Sequence, residues 1–312
     1  MTLDEFLDKW LDVAARPRLR EKTFEDYKEL LARYVRRPLG AHRLANIHAL
    51  DIQGLYSEML SKGLSARTVR YTHAVLGSAL KQAARWGYIS VNPALLVDLP
   101  KSKRREMQAL SPEQAMLFRS EAANDDQGIV FDFALFTGMR PEEYLALKWS
   151  DLDLEKGTAT VRRTLVWSKG GGWKFGETKT TKSRRTVSFP VELSRALIVH
   201  KREQAETKLK LGPEYQNNDL VFAASQGQPL NLKNLTRRHF QPILKRAGLP
   251  MIRLYDLRHS CATLLLAAGE HAKVVSERLG HASITLTLDT YSHVLPTMQQ
   301  SATEKLQRLL CG

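Results

Sequence analysis

The chain has 312 residues, more than one hydrophobic core comfortably organises, so two domains are expected. Its 43% hydrophobic and 26% charged residues are those of an ordinary globular protein and exclude a disordered or fibrous chain. Lysine and arginine number 47 against 33 acids, a formal charge of +14, which points to a nucleic-acid partner. Membrane binding would need a basic amphipathic helix, and here the basic residues run along the whole chain. No stretch approaches the ~18 to 20 apolar residues of a bilayer span, and the opening MTLDEFLDKW carries acids where a signal peptide is basic. The expectation is a cytoplasmic, DNA-associated protein with no membrane partner. Two cysteines, Cys261 and Cys311, supply neither a disulfide framework nor a four-cysteine zinc site. Cys261 sits in an apolar stretch and reads as a small core residue.

The first hundred residues read as helical. Thr23 and Asp26 form a capping-box pattern before KELLARYV, and Ser65 opens a long helix through Ala84. On that second helix Val69, Leu76 and Leu80 share one face, while Arg67, Arg70, Lys81 and Arg85 supply cations elsewhere. The bland reading of these cations is a solvated face; the overall charge favours contact with DNA phosphates. Gly87 and Asn92-Pro93 end the helical region. Residues 100–110 follow as a basic linker, with Lys101, Lys103, Arg104 and Arg105 as further DNA-binding candidates. The expected domains are therefore a helical DNA-binding domain over 1–99 and a second domain over 111–312, whose tail from about 296 forms a short amphipathic helix with nothing obvious of its own to pack on.

In the second domain helical periodicity runs from Pro112 to about Trp149. TATVRRTLV and RRTVSF then predict two or three strands around a Gly170-Gly171-Gly172 loop. Helices are expected from Pro190 to Leu211, from Leu232 to Ala247, and from Tyr255 onward. The fold class is mainly α with a small antiparallel β-sheet: a helical module followed by a mixed α/β domain.

Five segments of this half carry chemistry: Thr137-Gly138-Met139-Arg140, Thr178-Lys179-Thr180, Tyr255-Asp256-Leu257-Arg258-His259, Leu279-Gly280-His281 and Asp289-Thr290-Tyr291. Each alone is weak. A helix-start arginine is usually a surface residue, a hairpin lysine is usually solvated, and a tyrosine usually packs. Their order changes this, because together they resemble the tyrosine recombinases, the integrases of phages and mobile elements and the Xer-type resolvases. The resemblance covers essentially the whole chain.

The resemblance implies a helical core-binding (SAM-like) domain, a mixed α/β catalytic domain, and strand exchange through a covalent 3′-phosphotyrosyl intermediate. Arg140 and Arg258 would bind the scissile phosphate, and Lys179, with Lys174 and Lys182 nearby, would protonate the leaving 5′ oxygen. His281 would contact the phosphate or assist the phenol, Tyr291 would attack, and Glu143, Asp256 and His259 would support the site. Where the family usually has the first histidine of H-x-x-R-H, this chain has Tyr255. With a reference pKa of ~10 it offers a polar contact rather than a general base.

The implied partners are double-stranded DNA recombination sites, a homo-tetramer joined through the C-terminal helix, and an accessory DNA-bending or directionality factor. The phosphotyrosyl link retains the energy of the broken bond, so the resemblance implies no metal, ATP or other cofactor, and neither a phosphate-binding GKS/T loop nor a carboxylate cluster is present. The chain starts almost at the core-binding domain, so the expectation is either a two-domain recombinase or one from which an arm-binding segment in front has been trimmed, with trimming favoured. A catalytically impaired DNA-binding regulator, a type IB topoisomerase and an Xer-type chromosome resolvase are the competing readings.

Overall fold

The computed structural model describes residues 1–101, 107–167, 172–177, 184–291 and 306–311. The chain forms two units, Met1–Arg105 and Glu106–Gly312, each with its own core.

In the first unit Thr2 accepts from the Glu5 amide and Glu5 reaches back to Thr2, a capping box that starts α1 (Leu3–Trp10). Leu3, Phe6, Leu7 and Trp10 recur at helical spacing and are all buried. The expected capping box at Thr23 is not formed. α2 (Glu21–Leu30) begins earlier, at an Arg20 cap position without a side-chain bond, so Thr23 lies inside the helix. The earlier start lets the amide of the buried Phe24 bond Arg20 O at 2.9 Å, where a cap at Thr23 would have left it among the unpaired first-turn donors. A short α3 (Arg37–Leu39) follows, and Arg36 ties the segment to α1 through Asp4 at 2.7 Å and Asp8 at 2.6 Å. α4 (Ala49–Ser61) and α5 (Ala66–Arg85) complete the unit. Ser65 caps α5 as expected, accepting from Thr68 N at 3.2 Å. Val69, Leu76 and Leu80 face the core, while Arg67, Arg70, Lys81 and Arg85 are exposed.

The second unit opens with Ser111 capping α6 (Pro112–Ala122), with Gln114 reaching back. The helical run expected from Pro112 to Trp149 is divided into α6, α7 (Gly128–Thr137), α8 (Pro141–Tyr144) and a turn at Trp149–Asp151. Gly138 ends α7 in the left-handed region at φ 61°. A β-carbon there would lie 2.8 Å from Leu279 Cδ2 and 3.1 Å from Cys261 Sγ, so glycine is required by space as well as by conformation.

Strands β1 (Leu152–Asp153), β2 (Thr158–Thr160) and β5 (Thr186–Ser188) form an antiparallel sheet in the order β1-β2-β5. A separate hairpin pairs β3 (Arg163–Trp167) with β4 (Trp173–Glu177), with Trp167 opposite Trp173. β3 and β4 are the strands expected on either side of the Gly170-Gly171-Gly172 loop; the WKFGE of β4 carries a glycine and gains its conformation from pairing with β3.

The later helices fall where the sequence places them: α9 (Val191–Leu211), α10 (Leu232–Leu235) running on through Thr236–Phe240 into α11 (Gln241–Arg246), and α12 (Asp256–Ala267). α13 (Ala272–Leu279) and α14 (Ile284–Tyr291) follow, and 306–311 is helical and exposed. Cys261 is buried as expected. Among the described residues, no helix is long and apolar enough to cross a membrane.

Candidate active site

The end of α7, the start of α8, α12 and the end of α13 converge around buried arginines. Gly138 turns the chain out of α7, Pro141 fixes the first turn of α8, and Arg140 lies between them at the helix cap. Its amide and guanidinium both donate to Glu143, at 2.9 and 2.7 Å. Glu143, 2% exposed, is gripped from the other side by Arg185 at 2.9 and 3.2 Å. Burial alone would lift the Glu143 carboxyl, yet Arg185 and then Arg140 hold it below its ordinary range. Burial likewise opposes the charge on Arg140, and Glu143 together with the Tyr255 phenol more than offsets it.

Arg258 lies on α12 and is 2% exposed. One guanidinium nitrogen donates to Gly138 O at 2.8 Å and another to Leu279 O at 2.7 Å. The side chain thus staples the turn before Arg140 to the turn before His281. Burial, then Arg140, pulls its pKa down to about 10, so it stays charged at neutral pH. Arg185 donates to Arg278 O at 2.6 Å, and Arg278 donates to Phe136 O and Ser188 O, both at 2.7 Å. These arginines satisfy carbonyls left open at the C-terminal ends of α7 and α13, where the helix dipole also favours cations.

His281 follows Gly280, which ends α13 in the left-handed region at φ 66°, and its Nδ1 lies 2.7 Å from Thr287 Oγ1. Burial, then Arg258 and Arg140, lower its pKa to about 4, leaving a neutral imidazole. Tyr291 ends α14 with its ring buried among Ala262, Leu266, Val275 and Leu279. Its hydroxyl lies 2.7 Å from His259 Nδ1. Burial raises the phenol pKa, with Arg258 opposing. His259 is itself lowered to about 4, first by burial, with Asp256 opposing.

Tyr255 precedes α12, faces Arg140 and sets its ring 5.5 Å from that of His259, tilted by 58°. Asp256 accepts from the Arg253 amide and guanidinium, both at 2.7 Å, which fixes the start of α12. Arg140, Glu143, Tyr255, Asp256, Arg258, His259, His281 and Tyr291 therefore belong to one contiguous region. Lys179 and Lys182 lie outside the described residues, and Lys174 is exposed on β4. Of the DNA-binding candidates, Arg67, Arg70, Lys81 and Lys101 are exposed on the first unit, and Lys103, Arg104 and Arg105 lie outside the described residues. Sequence reasoning missed Arg185 and Arg278, whose partners nothing in a strand or helix pattern marks. It also placed His259 behind the site, whereas His259 touches the Tyr291 hydroxyl itself.

Residues 107–298 match the phage integrase family, and residues 2–60 match the phage integrase N-terminal SAM-like domain. The chain is 31% identical to a "Tyrosine recombinase XerC-like" protein of Caldanaerobacter subterraneus, covering 99% of this chain and 83% of that one. It is 30% identical to the ICEBs1 integrase of Bacillus subtilis, covering 83% and 70%. The fold is similar to that of the Tn1549 transposon integrase, solved with transposon right end DNA: TM-score 0.82, 22% identity, 98% of this chain and 99% of that one. A lambda integrase tetramer bound to a Holliday junction gives TM-score 0.66 at 22% identity over 93% of this chain and 77% of that one.

Proposed function

Because this chain belongs to the phage integrase family, the tyrosine recombinases, we propose that Tyr291 attacks a DNA phosphodiester at a specific site and becomes linked to the 3′ phosphate. The chain is a site-specific recombinase, an enzyme of DNA strand exchange. One observation supports this assignment of roles most strongly. Tyr291 is docked against the helix that carries Arg258, and Arg258 bonds both the turn leading to Arg140 and the turn leading to His281.

As the phenol oxygen approaches phosphorus, charge grows on the non-bridging oxygens. The partly exposed Arg140 guanidinium meets it, and Arg258 holds that guanidinium's turn in place while adding positive potential. His281, neutral and fixed by Thr287, orients the phosphate. Tyr255 contributes a polar contact beside Arg140. Lys179 protonates the departing 5′ oxygen. A 5′ hydroxyl of another strand then attacks the phosphotyrosyl bond, which needs neither metal nor ATP because the bond energy is kept.

The substrates of this reading are double-stranded recombination sites of a mobile element. The cations Arg67, Arg70, Lys81, Lys101, Lys103, Arg104 and Arg105 hold the backbone, and four subunits pair through their C-terminal segments, assisted by a bending or directionality factor. Chromosome resolution is the second reading, favoured by the XerC-like relative. The test is incubation of the protein with sheared host DNA followed by denaturation. A denaturation-resistant adduct absent from Tyr291→Phe supports the reading; no adduct from the wild type contradicts it. Sequencing the trapped ends gives the site.

A further inference from the structure

The recombinase reading leaves the proton of Tyr291 without an acceptor, since position 255 holds a tyrosine. The hydroxyl nevertheless has one partner of suitable chemistry, His259 Nδ1 at 2.7 Å, brought to it from 32 residues earlier in the chain. The two rings lie 5.8 Å apart, and the Tyr255 ring lies 5.5 Å from the imidazole, also tilted to it. We propose that His259 is the proton acceptor of the cleavage step and the donor of the rejoining step, a role moved to the position after Arg258.

The charged neighbours of His259 fit this. Arg258 and Arg253 disfavour its cationic form while Asp256 favours it, and burial is the largest influence, so the resting imidazole is neutral and its lone pair is available above about pH 4. The buried phenol holds its proton tightly in the same resting site. Transfer therefore occurs as the P–O bond forms, when the phenol oxygen loses electron density to phosphorus and its acidity rises. The Tyr291 O–H proton passes to His259 Nδ1, the phenol oxygen bonds phosphorus, and the P–O5′ bond breaks with its electron pair on the 5′ oxygen, which takes a proton from the general acid. The imidazolium so formed lies beside the phosphoryl group while it carries most negative charge. In rejoining, the incoming 5′ hydroxyl loses its proton to the group that served as acid, and the departing phenolate recovers its own from His259.

Two measurements test this inference, which rests on the recombinase reading. Without DNA, the ¹⁵N shifts of the His259 ring should show an unprotonated Nδ1 in wild-type protein; a protonated Nδ1 overturns the proposal. With nicked suicide duplexes of the trapped end sequence, single-turnover cleavage by His259→Ala and His259→Gln should fall ~10²-fold or more at unchanged DNA affinity. Added imidazole should restore part of the His259→Ala rate. A bridging 5′-sulfur leaving group, which departs unprotonated, should restore neither variant. Cleavage within about threefold of wild type, faster cleavage, or rescue by the sulfur substrate overturns the proposal. If His259→Ala unfolds, His259→Gln carries the comparison. Absence of any wild-type adduct counts instead against the recombinase reading, and the ring shifts still decide the acceptor.

Discussion

Replacing Arg258 with lysine separates the charge of this residue from its geometry. The guanidinium donates from two different nitrogens to Gly138 O at 2.8 Å and Leu279 O at 2.7 Å, carbonyls 141 positions apart as 138 and 279, and is 2% exposed. A single ammonium on a flexible stem cannot hold both carbonyls in that fork. At least one charge-assisted bond, worth about 1.5–3 kcal/mol, disappears, and a carbonyl near the helix end is left unpaired. For a unit of this size each kcal/mol lowers the midpoint by roughly 2–4 °C, so calorimetry of the full chain should show a drop of about 3–12 °C in one transition. Cleavage should fall further than stability accounts for, by about 10²-fold, because the Arg140 and His281 turns lose their common anchor. The assay is single-turnover adduct formation at a temperature where both proteins remain folded. A variant that melts within 1 °C of wild type and cleaves at the same rate would refute the reasoning.

Other outcomes follow from the same geometry. Glu143→Gln leaves Arg140 and Arg185 facing each other across a neutral amide; it should lower stability by about 3–5 kcal/mol in urea titration, and an unchanged midpoint would mean that the carboxylate is dispensable. His259 and His281 both have folded pKa values near 4, below the ordinary ~6.5, so the unfolded chain binds more protons between those values. Stability should therefore be intact above pH 6.5 and decline as pH falls towards 4, with a shallower decline in His259→Gln; identical slopes would contradict the assignment. Arg67, Arg70 and Lys81 changed together to alanine should reduce the slope of log affinity against log salt by about 0.9 for each DNA phosphate that is no longer neutralised, ~2.7 for all three. An unchanged slope would remove α5 from the DNA interface.

The helical frame was legible because its signals are local. Ser65 and Ser111 cap helices where the sequence says they should, and the apolar stripe of α5 is the buried one. The motif order was legible too: Arg140, Arg258, His281 and Tyr291 meet in one region although 151 positions, from 140 to 291, separate the first from the last. What could not be read is what tertiary packing decides. Thr23 carries a good capping pattern and loses to an earlier start that pairs the Phe24 amide. Arg185 sits next to a three-residue strand and resembles any solvated cation, and the approach of Glu143 and the Arg278 carbonyl gives it its partners. The resemblance gives His259 a supporting place, whereas α14 folds back to set the Tyr291 hydroxyl 2.7 Å from its Nδ1.

The central claim is that Tyr291 supplies the oxygen of the covalent bond to DNA. The direct measurement is mass spectrometry of the trapped adduct after nuclease and protease digestion. The account predicts a nucleotide attached through its 3′ phosphate to the peptide containing Tyr291, and no such species from Tyr291→Phe. A nucleotide on another residue, a 5′ linkage, or an adduct that survives Tyr291→Phe would contradict it.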